Sequence, residues 1–230
     1  MDPMGSLPDR EFRTAQEIVT ERLRNRILSG DLRPGDRLLQ ADIATEMRTS
    51  TTPVREALWQ LAGAGLLDVD PHRGVTVHTP TRDEVTDVYE LRLLLEPLAV
   101  VAAIDRITDE ELRRAEELTV AMAEDPDARA VVIHNVQFHE ILVQASRRPR
   151  LVEIVTRLDN LAMMYVVSNL YRIPGRVQTS IREHHELIAA FRAKDKEAAR
   201  RLITDHLQGS LALSQQAFDQ MSSGPRARRR

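Results

Sequence analysis

The stretch NVQFHEILV, residues 135–143, sets Asn135 and His139 four residues apart in an apolar pattern formed by Val131, Val132, Phe138 and Leu142. Four residues is about one helical turn, so the amide and the imidazole face the same way, toward a core. Leaving either group buried without a partner costs roughly 1–3 kcal/mol. Sorting the 7 histidines by helical face sets two others beside them. His184 falls with Val177, Ile181, Ile188 and Phe191, whereas its neighbour His185 falls with Arg182, Ala189 and Arg192. His206 falls with Ala199, Leu202 and Leu213, while His134 is ambiguous. A break near Lys194 and Asp195 lies about midway between His184 and His206, roughly 15–16 Å from each along a helix. An antiparallel hairpin would therefore hold those two imidazoles level. Three imidazoles and an amide oxygen can build a metal site in a bundle core, and without Cys such a set suits zinc, or nickel. The same residues also fit a cluster of core histidines bonded to one another and to Asn135.

A second set of residues suits nucleic acid. In TPVREALWQLAGAG (52–65) Val54, Leu58 and Leu61 form the inward stripe, and Thr51, Thr52 and Arg55 lie off it at the N-terminal end. A recognition helix presents hydroxyls, a guanidinium and its positive dipole to a DNA groove at that end. Arg48 and Ser50 lie just upstream, and His72, Arg73 and Gly74 occupy the tip of a following hairpin. The alternatives are a surface Arg55 paired with Glu56 or Glu46, and a His72 that is simply a solvated turn residue. A third candidate is Arg92, inward with Val85, Val88, Tyr89 and Leu95. A guanidinium in a pocket grips a carboxylate bidentately, and the competing role is an Arg92–Glu96 pair. Tyr89 and Asn169 are candidate ligand contacts with it, and Tyr165 and Tyr171 suit pocket edges.

These residues need particular elements to position them. Ile18, Val19, Leu23 and Ile27 share a face of a helix over 15–28, a short helix covers 38–47, and a third covers 52–65. LLDVDPHRGVTVH then reads as two short strands around a turn. Beyond Thr79 and Pro80 the texture changes: TRDE (81–84) and TDEE (108–111) are capping boxes, and DPDA (125–128) starts a helix. Six helical segments follow, at roughly 82–106, 109–124, 126–146, 149–171, 176–193 and 195–219. The predicted fold class is mainly α: a winged helix-turn-helix domain with a two-stranded wing over 10–79, then an all-α bundle of about six helices over 80–221. Residues 222–230 are expected to be a disordered basic tail.

Composition limits the partners. Net charge is −3, and the basic residues are almost all Arg. Residues 10–79 carry 10 Arg against 10 acidic groups, so any DNA contact must come from local placement of Arg rather than bulk charge. No run approaches the roughly 18–20 apolar residues of a membrane span. The absence of Cys excludes disulfides and fits a cytoplasmic protein.

ILSGDLRPGDRLLQADIATEMRTSTTPVREALWQLAGAGLLDVDPHRGVTV resembles the DNA-binding head of GntR-family transcription regulators, through G-x-L-x-P-G-x-x-L, S-x-T-P-V-R-E-A-L, G-L-L and R-G-V-x-V. Thr51 stands where the family commonly has Arg. YELRLLLEPLAVVAA, NVQFHEILVQAS and EHHELIAAFRAKDKEAARRLITDHL are similar, in order and spacing, to the FCD ligand-sensing domain of the FadR-type branch. That resemblance implies metal ligands at Asn135, His139, His184 and His206, with Asn135 replacing an Asp. SRRPRL also departs from the Gly-Asn turn usual before that Pro.

The function expected from all this is a ligand-responsive repressor. It would bind a palindromic operator in double-stranded DNA as a homodimer and sense a small organic acid at or near a divalent metal, with no membrane involved. A metal-dependent hydrolase with a His-rich zinc site is the rival, and Glu140 is its nearest candidate base. A bundle with a purely structural metal is the third reading.

Overall fold

A computed structural model of the chain describes residues 14–70, 72, 74–167 and 175–223. Helix α1 (Ala15–Leu28) starts at a capping box between Thr14 and Glu17. Strand β1 (Arg37–Leu38) leads into α2 (Gln40–Glu46) and α3 (Thr51–Gly63). Strands β2 (Leu67–Asp70) and β3 (Gly74–Val77) form the hairpin. Then come α4 (Arg82–Ala103), α5 (Asp109–Glu124), α6 (Ala128–Gln144), α7 (Pro149–Val167), α8 (Arg176–Arg192) and α9 (Lys196–Ser223). Both predicted capping boxes are present: Thr81 with Glu84 opens α4, and Thr108 with Glu111 opens α5. Reciprocal bonds of this kind satisfy helix N-terminal donors that would otherwise be orphaned.

Three differences from the sequence reading have physical causes. The wing is a three-stranded antiparallel sheet in the order β1-β3-β2, not a two-stranded one. The added strand pairs Arg37 with Thr76 and Leu38 with Val75, and two residues are too few to show alternation in a sequence. Ile18 is not inward: it is 39% exposed, and α1 turns Val19, Leu23, Ile27 and Leu28 to the core. Residues 222 and 223 continue α9, and 224–230 lie outside the described residues.

The head's core draws on α1, α2, α3 and the sheet, and it does not stop at the head. Val132 and Val136 of α6, with Met163 and Met164 of α7, belong to the same apolar cluster. Gly65, in a left-handed conformation at φ +80°, lies where a Cβ would meet Leu161 Cδ2 at 3.0 Å. Any larger residue there would be strained by that backbone conformation and would crowd the Leu161 side chain. The second core is built on α4 to α9 around Tyr89, Phe138, Phe191, Leu142 and Ile203, which are fully buried. Helices α6 and α7 therefore present one face to the head and another to this second core.

Candidate functional site

Helices α6, α8 and α9 bring His139, His184 and His206 together inside the second core. All three are buried, and one ring nitrogen from each lies within 4.8 Å of the others. Ring centroids are 5.1 Å apart for His139 and His184, 5.0 Å for His139 and His206, and 5.3 Å for His184 and His206. A tetrahedral ion with Zn–N bonds of about 2.0–2.1 Å needs nitrogens about 3.3 Å apart, so the imidazoles would draw closer around an ion. His185, next to the buried His184, is exposed on the other side of α8. Lys194, at φ +54°, makes the turn between α8 and α9 that sets His184 and His206 level.

The surroundings orient and neutralise the imidazoles. Glu183 Oε2 accepts from His206 Nδ1 at 2.7 Å, which leaves Nε2 with a free lone pair. Arg176 holds Glu183 at 3.3 Å and donates to Ser210 Oγ at 3.0 Å. Phe138 stacks on His184 at 4.0 Å and meets His139 edge-on, fixing both planes. Ser180 Oγ lies 3.5 Å from His184 Nε2, while His184 Nδ1 is buried with no hydrogen-bond partner among the described residues. Burial first, and then the neighbouring imidazoles, push His139 and His184 well below the usual histidine range. Burial also lowers His206, against the opposing pull of Glu183. Neutral imidazoles with an orphaned buried nitrogen among them are the donor set a divalent cation takes. The residues fit a metal.

Asn135 lies one turn before His139, and its amide donates to Met163 Sδ at 3.7 Å. It borders a void of about 10 Å³ shared with Ser180, Met122, Val131 and Val177, room for about one water. Met122, Val131 and Val177 also line a surface groove of about 380 Å³ on the other side. Asn135 itself is half-buried between the two.

Arg92 is buried over the Tyr89 ring, 4.8 Å from its centroid. Its Nε donates to Glu96 Oε1 at 2.5 Å, and Asp159 Oδ1 lies 3.0 Å away without hydrogen-bond geometry. Burial opposes the Arg92 charge, but the two carboxylates outweigh it and raise its pKa. Two acids against one base leave one acid in excess. Burial and then the Glu96 charge push the Asp159 pKa well above the usual carboxylate value. The Arg92–Glu96 pair weighed from the sequence is thus present, but buried. The Arg92 charge also helps hold His139 and His206 neutral, behind burial and the charges nearer to them. Asn169 and Tyr171 lie outside the described residues, as does the Tyr165 side chain.

On the head, Ser50 is the N-cap of α3 and makes no side-chain capping bond. Helix α3 begins at Thr51, one residue earlier than the sequence suggested, and Pro53 still falls where a backbone N–H has no helical partner. Thr51, Thr52 and Arg55 are exposed, and no ion pair holds Arg55 among the described residues. Glu46, its suggested partner, binds Arg26 at 3.1 Å. Arg48 is exposed and adopts φ +52° at the turn between α2 and α3. His72 is exposed, with its backbone N–H donating to Asp70 at 2.7 Å, and Arg73 lies outside the described residues. Gly74, at φ +84°, begins β3 with the Arg37 guanidinium 3.7 Å from where a Cβ would stand.

Sequence reasoning missed Glu183 and Asp159. Glu183 precedes His184 and points around the helix to His206, a relation visible only once α9 is placed. Asp159 carried a signal, an acid within the apolar run LDNLAMM of α7.

A three-stranded winged head feeding an all-helical domain with a buried histidine triad has counterparts among known proteins. Residues 15–77 match the bacterial regulatory proteins of the gntR family, and residues 87–209 match the FCD domain. The chain belongs to the GntR family, FCD branch. It is 30% identical over 188 residues to the uncharacterized HTH-type transcriptional regulator YdhC of Bacillus subtilis, covering 80% of this chain and 84% of that one. The Escherichia coli HTH-type transcriptional regulator McbR is 29% identical over 209 residues, covering 87% and 93%. The solved McbR/YncC structure superposes with a TM-score of 0.78 at 27% identity, over 90% of this chain and all of that one. The gluconate operon transcriptional repressor of B. subtilis is 29% identical over 186 residues, covering 77% and 76%. This GntR regulator is accordingly a DNA-binding transcription factor and not an enzyme. Glu140, the base a hydrolase would need, is bound to Arg24 at 2.5 Å. Among the described residues no helix is long and apolar enough to cross a membrane.

Proposed function

We propose that this GntR regulator is a cytoplasmic repressor that binds a palindromic operator as a homodimer. Residues 10–79 read DNA, and residues 80–221 sense a small organic acid beside a divalent metal, zinc or nickel. The observation that carries this reading is the convergence of three buried, neutral imidazoles in the core on which the head is seated. His139, His184 and His206 would hold the ion, with the Asn135 oxygen as a neutral fourth donor. A bound ion of this kind attracts carboxylate oxygens to its open coordination positions. Arg92 supplies a second positive group on the same core, its Nε anchored by Glu96. Thr51, Thr52 and Arg55 face the major groove, with Arg48 and Ser50 beside them. His72, Arg73 and Gly74 would approach the minor groove.

Dimerisation is supported by an apolar stripe on α4. Leu91, Leu94 and Leu98 follow one another at helical spacing and remain 47%, 71% and 47% exposed. A contiguous exposed stripe of this kind is a surface that association would cover. Two heads related by a two-fold axis read two half-sites. The test combines metal analysis of the purified protein with gel shifts on a selected duplex, with and without small organic acids. Bound metal and a shift released by an acid support the proposal. Metal with no acid response leaves a structural ion, and a metal-free protein overturns the sensing site.

A further inference from the structure

Helix α3 turns Val54, Ala57, Leu58 and Leu61 into the head's core. At 100° per residue the opposite face is centred on Thr52, Arg55 and Trp59, with Trp59 within about 40° of both others. Trp59 is 62% exposed and is the only tryptophan in the chain. Its neighbour Gln60 turns the other way, to Gln16 and Thr20 of α1. One turn further along the same strip, Gly63 has nothing within 4 Å of where a Cβ would stand. Trp59 therefore stands exposed on the same face of α3 as Thr52 and Arg55.

We propose that Trp59 packs against the deoxyribose–phosphate wall of the major groove, with its indole N–H donating to a phosphate oxygen. This contact requires that α3 be the reading helix. Trp59 lies roughly 6 Å along the axis beyond Arg55 and 10–11 Å beyond Thr52. The major groove is about 12 Å wide. A residue one turn past the base-reading end of a helix inserted by its N-terminus meets the wall rather than the base edges. Sugar carbons match the indole face, and the phosphate matches its single donor. The contact is neutral, so it adds affinity without releasing counterions.

The chain's single tryptophan makes the test direct. A duplex is first selected from a random-sequence pool on the wild-type protein. Trp59 emission is then followed as that duplex, dye-labelled for anisotropy, is titrated in. The expected result is a blue shift with reduced acrylamide quenching that saturates with the anisotropy. Trp59→Ala should weaken binding about tenfold with an unchanged salt slope, and Trp59→Phe should recover part of the loss. Because the indole is exposed, the variants should melt with the wild type. Emission that stays unmoved while anisotropy saturates, or full affinity in Trp59→Ala, overturns the role of Trp59 alone. A wild type that retains no duplex from the pool overturns the reading of α3 together with this contact.

Discussion

Arg24 of α1 donates to Glu140 Oε1 of α6 at 2.5 Å, and Glu140 directly follows the buried His139. The same guanidinium reaches Asn160 Oδ1 from Nε at 3.0 Å and from Nη2 at 2.8 Å, and Asn160 directly follows Asp159. One arginine of the head thus clasps two helices that also pack in the second core. Hydrogen bonds to charged groups contribute about 1.5–3 kcal/mol. Arg24→Ala should lower stability by about 1–2 kcal/mol in urea unfolding, the side chain being only partly buried. Arg24→Lys should not restore it, since an ammonium cannot reproduce the fork. An unchanged urea midpoint in both variants would remove this joint.

Face sorting makes a sharp contrast between adjacent residues. His184→Ala and His206→Ala should each strip bound zinc from the purified protein, whereas His185→Ala should keep it. His185 is exposed on the opposite side of α8. Equal zinc loss in all three variants would contradict the convergence of His184 with His206.

The boundary between the domains carries its own titration. His78 Nδ1 lies 2.9 Å from Asp68 of β2, and Nε2 lies 3.0 Å from Glu84 of α4. Burial lowers the pKa of this imidazole, but the hydrogen bonds and charges of the two carboxylates outweigh it and raise the value above 6.5. A raised folded value means the stabilisation is complete below about pH 6.5 and fades as pH rises through the folded value. The buried triad works the other way: its lowered values cost stability as pH falls below about 6.5. The difference in stability between wild type and His78→Gln should therefore be largest in mild acid and shrink toward pH 8. Unfolding curves across that range check it, and a constant difference would argue against a charged clasp.

Arg55→Ala should abolish specific duplex binding with little change in melting temperature. Arg55 is exposed, and no ion pair of the described residues would be lost with it. A bidentate base contact is worth roughly 1–3 kcal/mol, and a symmetric dimer loses it twice. Undiminished affinity at matched salt would reassign the reading helix.

Much of this architecture could be read from residue pattern, for identifiable reasons. Thr81–Glu84 and Thr108–Glu111 are local devices, so four residues suffice to place a helix start. His184 and His185 separate because a helix puts neighbours about 100° apart, which an apolar stripe detects. Strand β1 escaped because it is only two residues long and depends on β3 for its pairing. The apolar pattern places Ile18 inward because periodicity cannot tell the edge of a stripe from its centre. Arg24, Asp159 and Glu183 act through partners on other helices, which no local spacing encodes.

Asn135 poses the last question, since relatives of this branch are expected to offer a carboxylate there. Its amide reaches Met163 Sδ at 3.7 Å beside the void shared with Ser180. Asn135→Asp changes little in size and adds an anion next to three neutral imidazoles. With zinc supplied, the new carboxylate should join the histidines and raise the melting temperature above that of the wild type. With chelator present, the same group is a half-buried charge facing a sulfur that cannot donate to it, and the variant should melt below the wild type. The sign of the difference thus depends on metal, which a packing effect alone would not produce. Melting curves of both proteins in zinc and in chelator decide it. A variant destabilised equally in both conditions would show that the core closes without an ion, and that Asn135 completes a hydrogen-bonded histidine cluster instead.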